Sequence, residues 1–135
     1  MLECLILGDS IAVGVSQVKI ECAVQAKVGI SSDAFEKNFS SLKESKLVII
    51  SLGTNDTAAT HTVFSLRKIR APLKTERVVW LLPNKDVKPD QHALVLQVAT
   101  EFNDQTINTN QVQLENDTLR HPTALGYKTL SKLIE

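Results

Sequence analysis

The run LVIIS, Leu47 to Ser51, is apolar without alternation. A strand with one wet face alternates apolar and polar residues. A continuous apolar run marks a strand covered on both faces, as in a parallel sheet with helices on either side. Leu2 to Leu7 reads as a buried strand of the same kind, and so does Arg77 to Leu82, which Pro83 stops. Glu21 to Gln25 is expected to be a further strand, and a weak one falls between Thr106 and Leu114.

Between these runs the apolar residues recur at three and four, the period of a helix. Ile11 to Val18 forms a short one. Ser32 or Asp33 is expected to cap the next, with Glu36 in its first turn and Phe35, Phe39 and Leu42 on one face. A helix from about Thr62 to Ala71 turns Val63, Leu66 and Ile69 inward, and one from about Pro89 to Phe102 presents Leu94, Val98 and Phe102. Pro122 to Ile134 closes the chain with Tyr127, Leu130 and Ile134 aligned. The order is strand, helix, five times over. Such alternation implies right-handed crossovers and an α/β fold with helices on both faces of a parallel sheet.

A chain of 135 residues without repeats, linkers or low-complexity tracts is expected to be one domain, residues 1–135. The formal net charge is zero, so nothing favours nucleic acid or an anionic membrane as partner. No stretch approaches the ~20 apolar residues of a membrane span. The N-terminus shows no basic region or small-residue cleavage site, so an exported precursor is not expected, although a chain trimmed of its signal reads the same. Cys4 and Cys22 match no zinc or redox spacing and both fall in expected strands. The reading is two buried thiols in a cytosolic protein rather than a disulfide. Action outside the cell or on a virion stays open.

In sheets of this class ligands bind beyond the carboxyl ends of the strands, where the winding reverses. The residues just after each strand therefore matter most. After the first comes GDSIAVG, Gly8 to Gly14. It is neither a dinucleotide glycine motif nor a phosphate loop, and it lacks the second glycine of the α/β-hydrolase elbow. Ser10 is either a hydroxyl presented at a helix N-terminus or, with Asp9, only a helix cap. After the second strand Gly29 gives a turn or lets the backbone approach a ligand. After the third, in GTND, the Asn55 amide is an oxyanion donor or an Asx turn. After the last, His121 follows an acid, Asp117, and precedes Pro122, which suits a general base oriented by a carboxylate. His61 and His92 read as surface residues, and the three histidines show no metal-ligand spacing.

Together GDSIAVG, Gly29, GTND and the His121-Pro122 pair resemble the four sequence blocks of the SGNH, or GDSL-type, hydrolases, across nearly the whole chain. The resemblance implies a three-layer, flavodoxin-like α/β fold with a five-stranded parallel sheet. It implies ester cleavage through an acyl-serine, with Ser10 as nucleophile and His121 as base. The Ser10 and Gly29 N–H groups and the Asn55 side chain would form the oxyanion hole. No metal or cofactor is implied.

The family pattern places the acid three residues before the histidine, where this chain has Thr118; Asp117 lies four before. Either the loop bulges so that Asp117 still reaches the ring, or Ser10 and His121 work as a dyad oriented by a backbone carbonyl. Tight connections leave no room for a lid. An open site then suits small acyl groups such as acetyl on a polar or carbohydrate scaffold. The chain is also similar to small SGNH domains of bacterial and phage genomes, which implies cell-wall or polysaccharide esters as substrates. An inactive carbohydrate-binding or structural module and an O-acyltransferase are the competing readings.

Overall fold

A computed structural model describes residues 1–39 and 44–135; Leu42, assigned above to a helix face, lies outside them. The elements follow as β1 (Leu2–Gly8), α1 (Ser10–Val18), β2 (Ala23–Ala26), α2 (Ser32–Asn38) and β3 (Ser45–Ser51). They continue as α3 (Thr62–Arg70), β4 (Thr75–Leu82), α4 (Pro89–Glu101), β5 (Gln105–Asn108), a 3₁₀ turn over Thr109–Gln111, and α5 (Ala124–Ile134). All strand pairs are parallel, in the order β2-β1-β3-β4-β5. The winding reverses between β1 and β3, so the residues that leave these two strands flank the crevice where such sheets bind ligands.

Side chains alternate across the sheet and give each face its own core. Leu5, Leu7, Val48, Ile50, Trp80 and Leu82 meet α2, α3 and α4, and Ile6, Ile49, Val79 and Leu81 meet α1 and α5. Trp80 is fully buried, and its indole N–H donates to Asp104 Oδ2 at 2.9 Å. Arg70 grips the same carboxylate with two bonds of 2.7 and 2.9 Å. This charge is thus buried with a partner for each oxygen, as burial of an ion requires.

Where β1 meets the start of α1, only glycine fits. Gly8 has φ +140°, and a Cβ there would lie 1.8 Å from the Ser51 carbonyl oxygen of β3. The two strands therefore end pressed together.

Several expectations need correction. Cys4 and Cys22 are not free thiols; they form a disulfide with Cα atoms 4.7 Å apart. The register explains it: Leu5 pairs with Ala23, so the residues just before them face each other across adjacent strands. With the free thiols goes the argument for the cytosol, since disulfides persist mainly in oxidising compartments. The cap of α2 is Ser31, whose hydroxyl accepts from Ala34 N–H, not Ser32 or Asp33. Helix α4 turns Val95, Val98 and Ala99 into the core, while Leu94 and Phe102 are only partly covered. Phe102 packs against the margin of that core with the Arg70 guanidinium over its ring, 4.9 Å from its centre. No helix among the described residues is long and apolar enough to cross a membrane.

Candidate active site

Asp9 and Ser10 divide the two roles between which the sequence left a choice. Asp9 is the N-cap of α1: its Oδ1 accepts Ile11 N–H at 3.1 Å and the Ser51 hydroxyl at 2.9 Å. Its own N–H donates to the Ser51 carbonyl at 2.9 Å. Capping by Asp9 leaves the Ser10 hydroxyl free, and Ser10 Oγ lies 3.0 Å from His121 Nε2. Ser10 is the first residue of α1, so its N–H is among the donors that the helix itself leaves unmet. Asp9 is fully buried and faces no cation, and its Oδ2 has no partner among the described residues. Burial pushes its carboxyl up to about 6, against the bonds from Ser51 and the α1 backbone, which favour the charge.

His121 sits on a loop that is bonded to itself. Glu115 N–H donates to the His121 carbonyl, and Thr123 N–H to that of Gln113, across an antiparallel bridge between Leu114 and Pro122. The extra residue before His121 is absorbed by a turn in which Arg120 N–H donates to the Asp117 carbonyl and Arg120 takes φ +54°. Asp117 then curls back. Its Oδ2 lies 2.7 Å from His121 Nδ1, and its Oδ1 accepts His121 N–H at 3.0 Å. These bonds, the ring contact first, hold the Asp117 carboxyl below its ordinary value. An ionised carboxylate can only accept, so Nδ1 is the nitrogen that donates to Asp117, and Nε2 is the one that faces Ser10.

Gly29 lies at the third position of a turn closed by Ile30 N–H on the Lys27 carbonyl at 3.2 Å. Its φ of +79° is what a type II turn demands at that position. A Cβ there would meet nothing within 4 Å, so the residue is needed for its angle and its outer face is open. A hollow of about 230 Å³ lies beside it, between Lys27, Val28, Ile30, Ala34 and Asn38.

The Asn55 amide donates one hydrogen to the Ile30 carbonyl at 3.1 Å, which fixes its orientation and leaves the second hydrogen to donate elsewhere. Its neighbour Asp56 is buried. It accepts Ser32 N–H at 2.8 Å and the Thr62 hydroxyl at 2.7 Å, and its carbonyl accepts the Gln91 amide at 2.9 Å. One aspartate thus ties the starts of α2, α3 and α4 together behind Asn55. Sequence reasoning gave Asp56 and Ile30 no role, and Asp9 only that of a helix cap. The two acids stood inside GTND and GDSIAVG, and that was the only signal. His61 is exposed, and His92 Nδ1 lies 2.8 Å from the Pro83 carbonyl, so neither approaches the pair formed by Ser10 and His121.

No protein-family model matches the chain, and neither does any curated protein. Solved structures do. A GDSL-like lipase from Bacteroides thetaiotaomicron superposes with a TM-score of 0.70 at 20% identity, over 98% of this chain and 85% of that one. The fold is that of the SGNH hydrolases. An aryl esterase from M. smegmatis shares it over 99% of this chain and 97% of its own, with a TM-score of 0.65 at 12% identity. A two-domain esterase active on acetylated mannans shares it over 98% of this chain and 48% of its own, with a TM-score of 0.65 at 17% identity. On this fold Ser10, Gly29 and Asn55 lie just beyond β1, β2 and β3, and His121 lies on the loop that joins β5 and its 3₁₀ turn to α5.

Proposed function

We propose that this chain is a serine esterase that hydrolyses small O-acyl esters through an acyl-serine intermediate. One observation carries the reading: the continuous line from Asp117 Oδ2 to His121 Nδ1 at 2.7 Å, and from His121 Nε2 to Ser10 Oγ at 3.0 Å. Serine is a weak nucleophile until a base takes its proton. As Ser10 Oγ attacks the ester carbonyl, His121 Nε2 accepts that proton, and Asp117 stabilises the resulting imidazolium. The carbonyl oxygen becomes an oxyanion, met by the Ser10 and Gly29 N–H groups and the free hydrogen of Asn55. Fixed donors of this kind need no reorganisation when the charge develops. Collapse of the intermediate expels the alcohol, protonated by His121. Water then attacks the acyl-serine with His121 again as base, and the acid leaves.

The absence of a lid among the described residues favours short acyl groups, acetyl above all, on a polar or carbohydrate carrier. The shared fold of an esterase active on acetylated mannans supports the same direction. The non-catalytic alternative drew on the offset between Asp117 and His121, and the 2.7 Å contact leaves it without that support.

The test is incubation with p-nitrophenyl acetate and, separately, a fluorophosphonate, with Ser10→Ala as comparison. Wild type should release p-nitrophenol and gain one adduct on Ser10, and the variant should do neither. A wild type that neither turns over nor gains mass removes the esterase reading. Labelling without hydrolysis transfers support to acyl transfer onto another acceptor.

A further inference from the structure

Gly14 closes the block GDSIAVG, yet none of the chemistry above uses it. It lies one helical turn after Ser10, so the two share a face of α1. A Cβ on Gly14 would lie 2.2 Å from Tyr127 Cζ, 2.3 Å from Cε1 and 2.6 Å from Oη. The Tyr127 ring of α5 therefore rests on bare backbone of α1. Tyr127 is one turn after Thr123, the N-cap of α5, and His121 is two residues before that cap. The loop carrying His121 is bonded to itself and to the start of α5, so ring and helix move as one piece. Among the contacts between α1, which presents Ser10, and α5, whose leading loop carries His121, the aromatic ring on glycine is the one a single turn behind both. Burial, then the Asp9 and Asp117 carboxylates, push the Tyr127 hydroxyl up to about 12, so the side chain stays a neutral phenol and acts through its shape.

We propose that the Tyr127 ring seated on Gly14 is the spacer that sets the distance between Ser10 and His121, which makes both positioning residues for the acyl transfer. Packed interiors transmit such displacements rather than absorb them. The inference rests on the esterase reading, and the two fail separately: failure of that reading shows in the wild type, failure of the spacer only in the variants.

The experiment compares Gly14→Ala, Tyr127→Leu and the double variant with wild type. It measures kcat and KM on p-nitrophenyl acetate, the rate of fluorophosphonate labelling at Ser10, and the melting temperature. Gly14→Ala pushes the helices apart and should lower kcat and the labelling rate together, by roughly tenfold to a hundredfold, with KM within about threefold. Tyr127→Leu removes the atoms that crowd position 14 and leaves the gap unfilled, so it should lose roughly three- to thirtyfold. The double variant refills that gap with a methyl group and should be faster than Tyr127→Leu alone, a coupling that independent sites would not show. Should Gly14→Ala fail to fold, Tyr127→Leu and the double variant still decide. A lower melting temperature with wild-type kcat and labelling would make the contact purely structural and overturn the proposal. A double variant no faster than Tyr127→Leu would overturn it as well.

Discussion

Replacing Asp9 by asparagine should make the protein's stability nearly indifferent to a pH range over which the wild type weakens. The Asp9 carboxyl titrates near 3.8 when unfolded and at about 6 when folded, because it is buried with one oxygen unpartnered. Below the unfolded value both states are protonated and nothing is lost. Between the two values the folded state holds the proton that the unfolded state releases, so stability falls as pH rises. Above the folded value the penalty is complete. The folded and unfolded values lie roughly two pH units apart, and at about 1.36 kcal/mol per pH unit the penalty is about 3 kcal/mol. In Asp9→Asn the amide oxygen still accepts from Ile11 and Ser51. The NH₂ replaces the orphaned oxygen and costs about 1–3 kcal/mol as an unmet buried donor, independently of pH. Variant minus wild type should therefore move by about 3 kcal/mol in favour of the variant between about pH 4 and pH 7, or roughly 10 °C in melting temperature. Asp117 has the opposite sign, since its lowered value gives stability that is lost as pH falls, but it is present in both proteins and cancels. Urea melts across that range, followed by fluorescence of the buried Trp80, provide the measurement. A difference constant to within about 1 kcal/mol would refute the reasoning and mean that the second oxygen finds a partner in solution.

Three further outcomes follow from the geometry. Asp117→Asn should slow ester hydrolysis by up to ~10⁴-fold; a rate within about threefold of wild type would favour a dyad. Asn55→Ala should cost ~10²–10³ in kcat with little change in KM, and a loss below about fivefold would remove Asn55 from the oxyanion hole. Reduction of the Cys4–Cys22 bond, which closes a loop of 18 residues, should lower the unfolding free energy by about 3 kcal/mol. Two titratable thiols in the protein unfolded without reductant would contradict that bond.

What could be read from the sequence was whatever depends on neighbours along the chain. Leu47 to Ser51 announced a doubly covered strand because burial on both faces needs no partner to be named. The periods of Leu66 with Ile69 and of Leu130 with Ile134 located two helices and their inward faces. What depends on register was hidden. Cys4 and Cys22 read as separate thiols because only the pairing of Leu5 with Ala23 brings them together. Leu94, Val98 and Phe102 made a consistent stripe, but the face that the helix buries is that of Val95, Val98 and Ala99. The same holds within the site. Ser10, Gly29, Asn55 and His121 stood out because each follows a different expected strand. Asp9 read only as a helix cap and Asp56 had no role, because Ser51, Ser32 and Thr62 reach them from other elements. The spacing of Asp117 from His121 was ambiguous in one dimension, and the left-handed turn at Arg120 brings the Asp117 carboxylate to the ring.

Ser10 and His121 touch across 111 residues of chain. As the polypeptide leaves the ribosome, Ser10, Gly29 and Asn55 are all made before His121. Any shortened product that stops before the Asp117–His121 turn carries Ser10 without its imidazole neighbour. The order of synthesis thus makes the contact between Ser10 and His121 a late one, formed only once α5 and the loop before it have docked against α1.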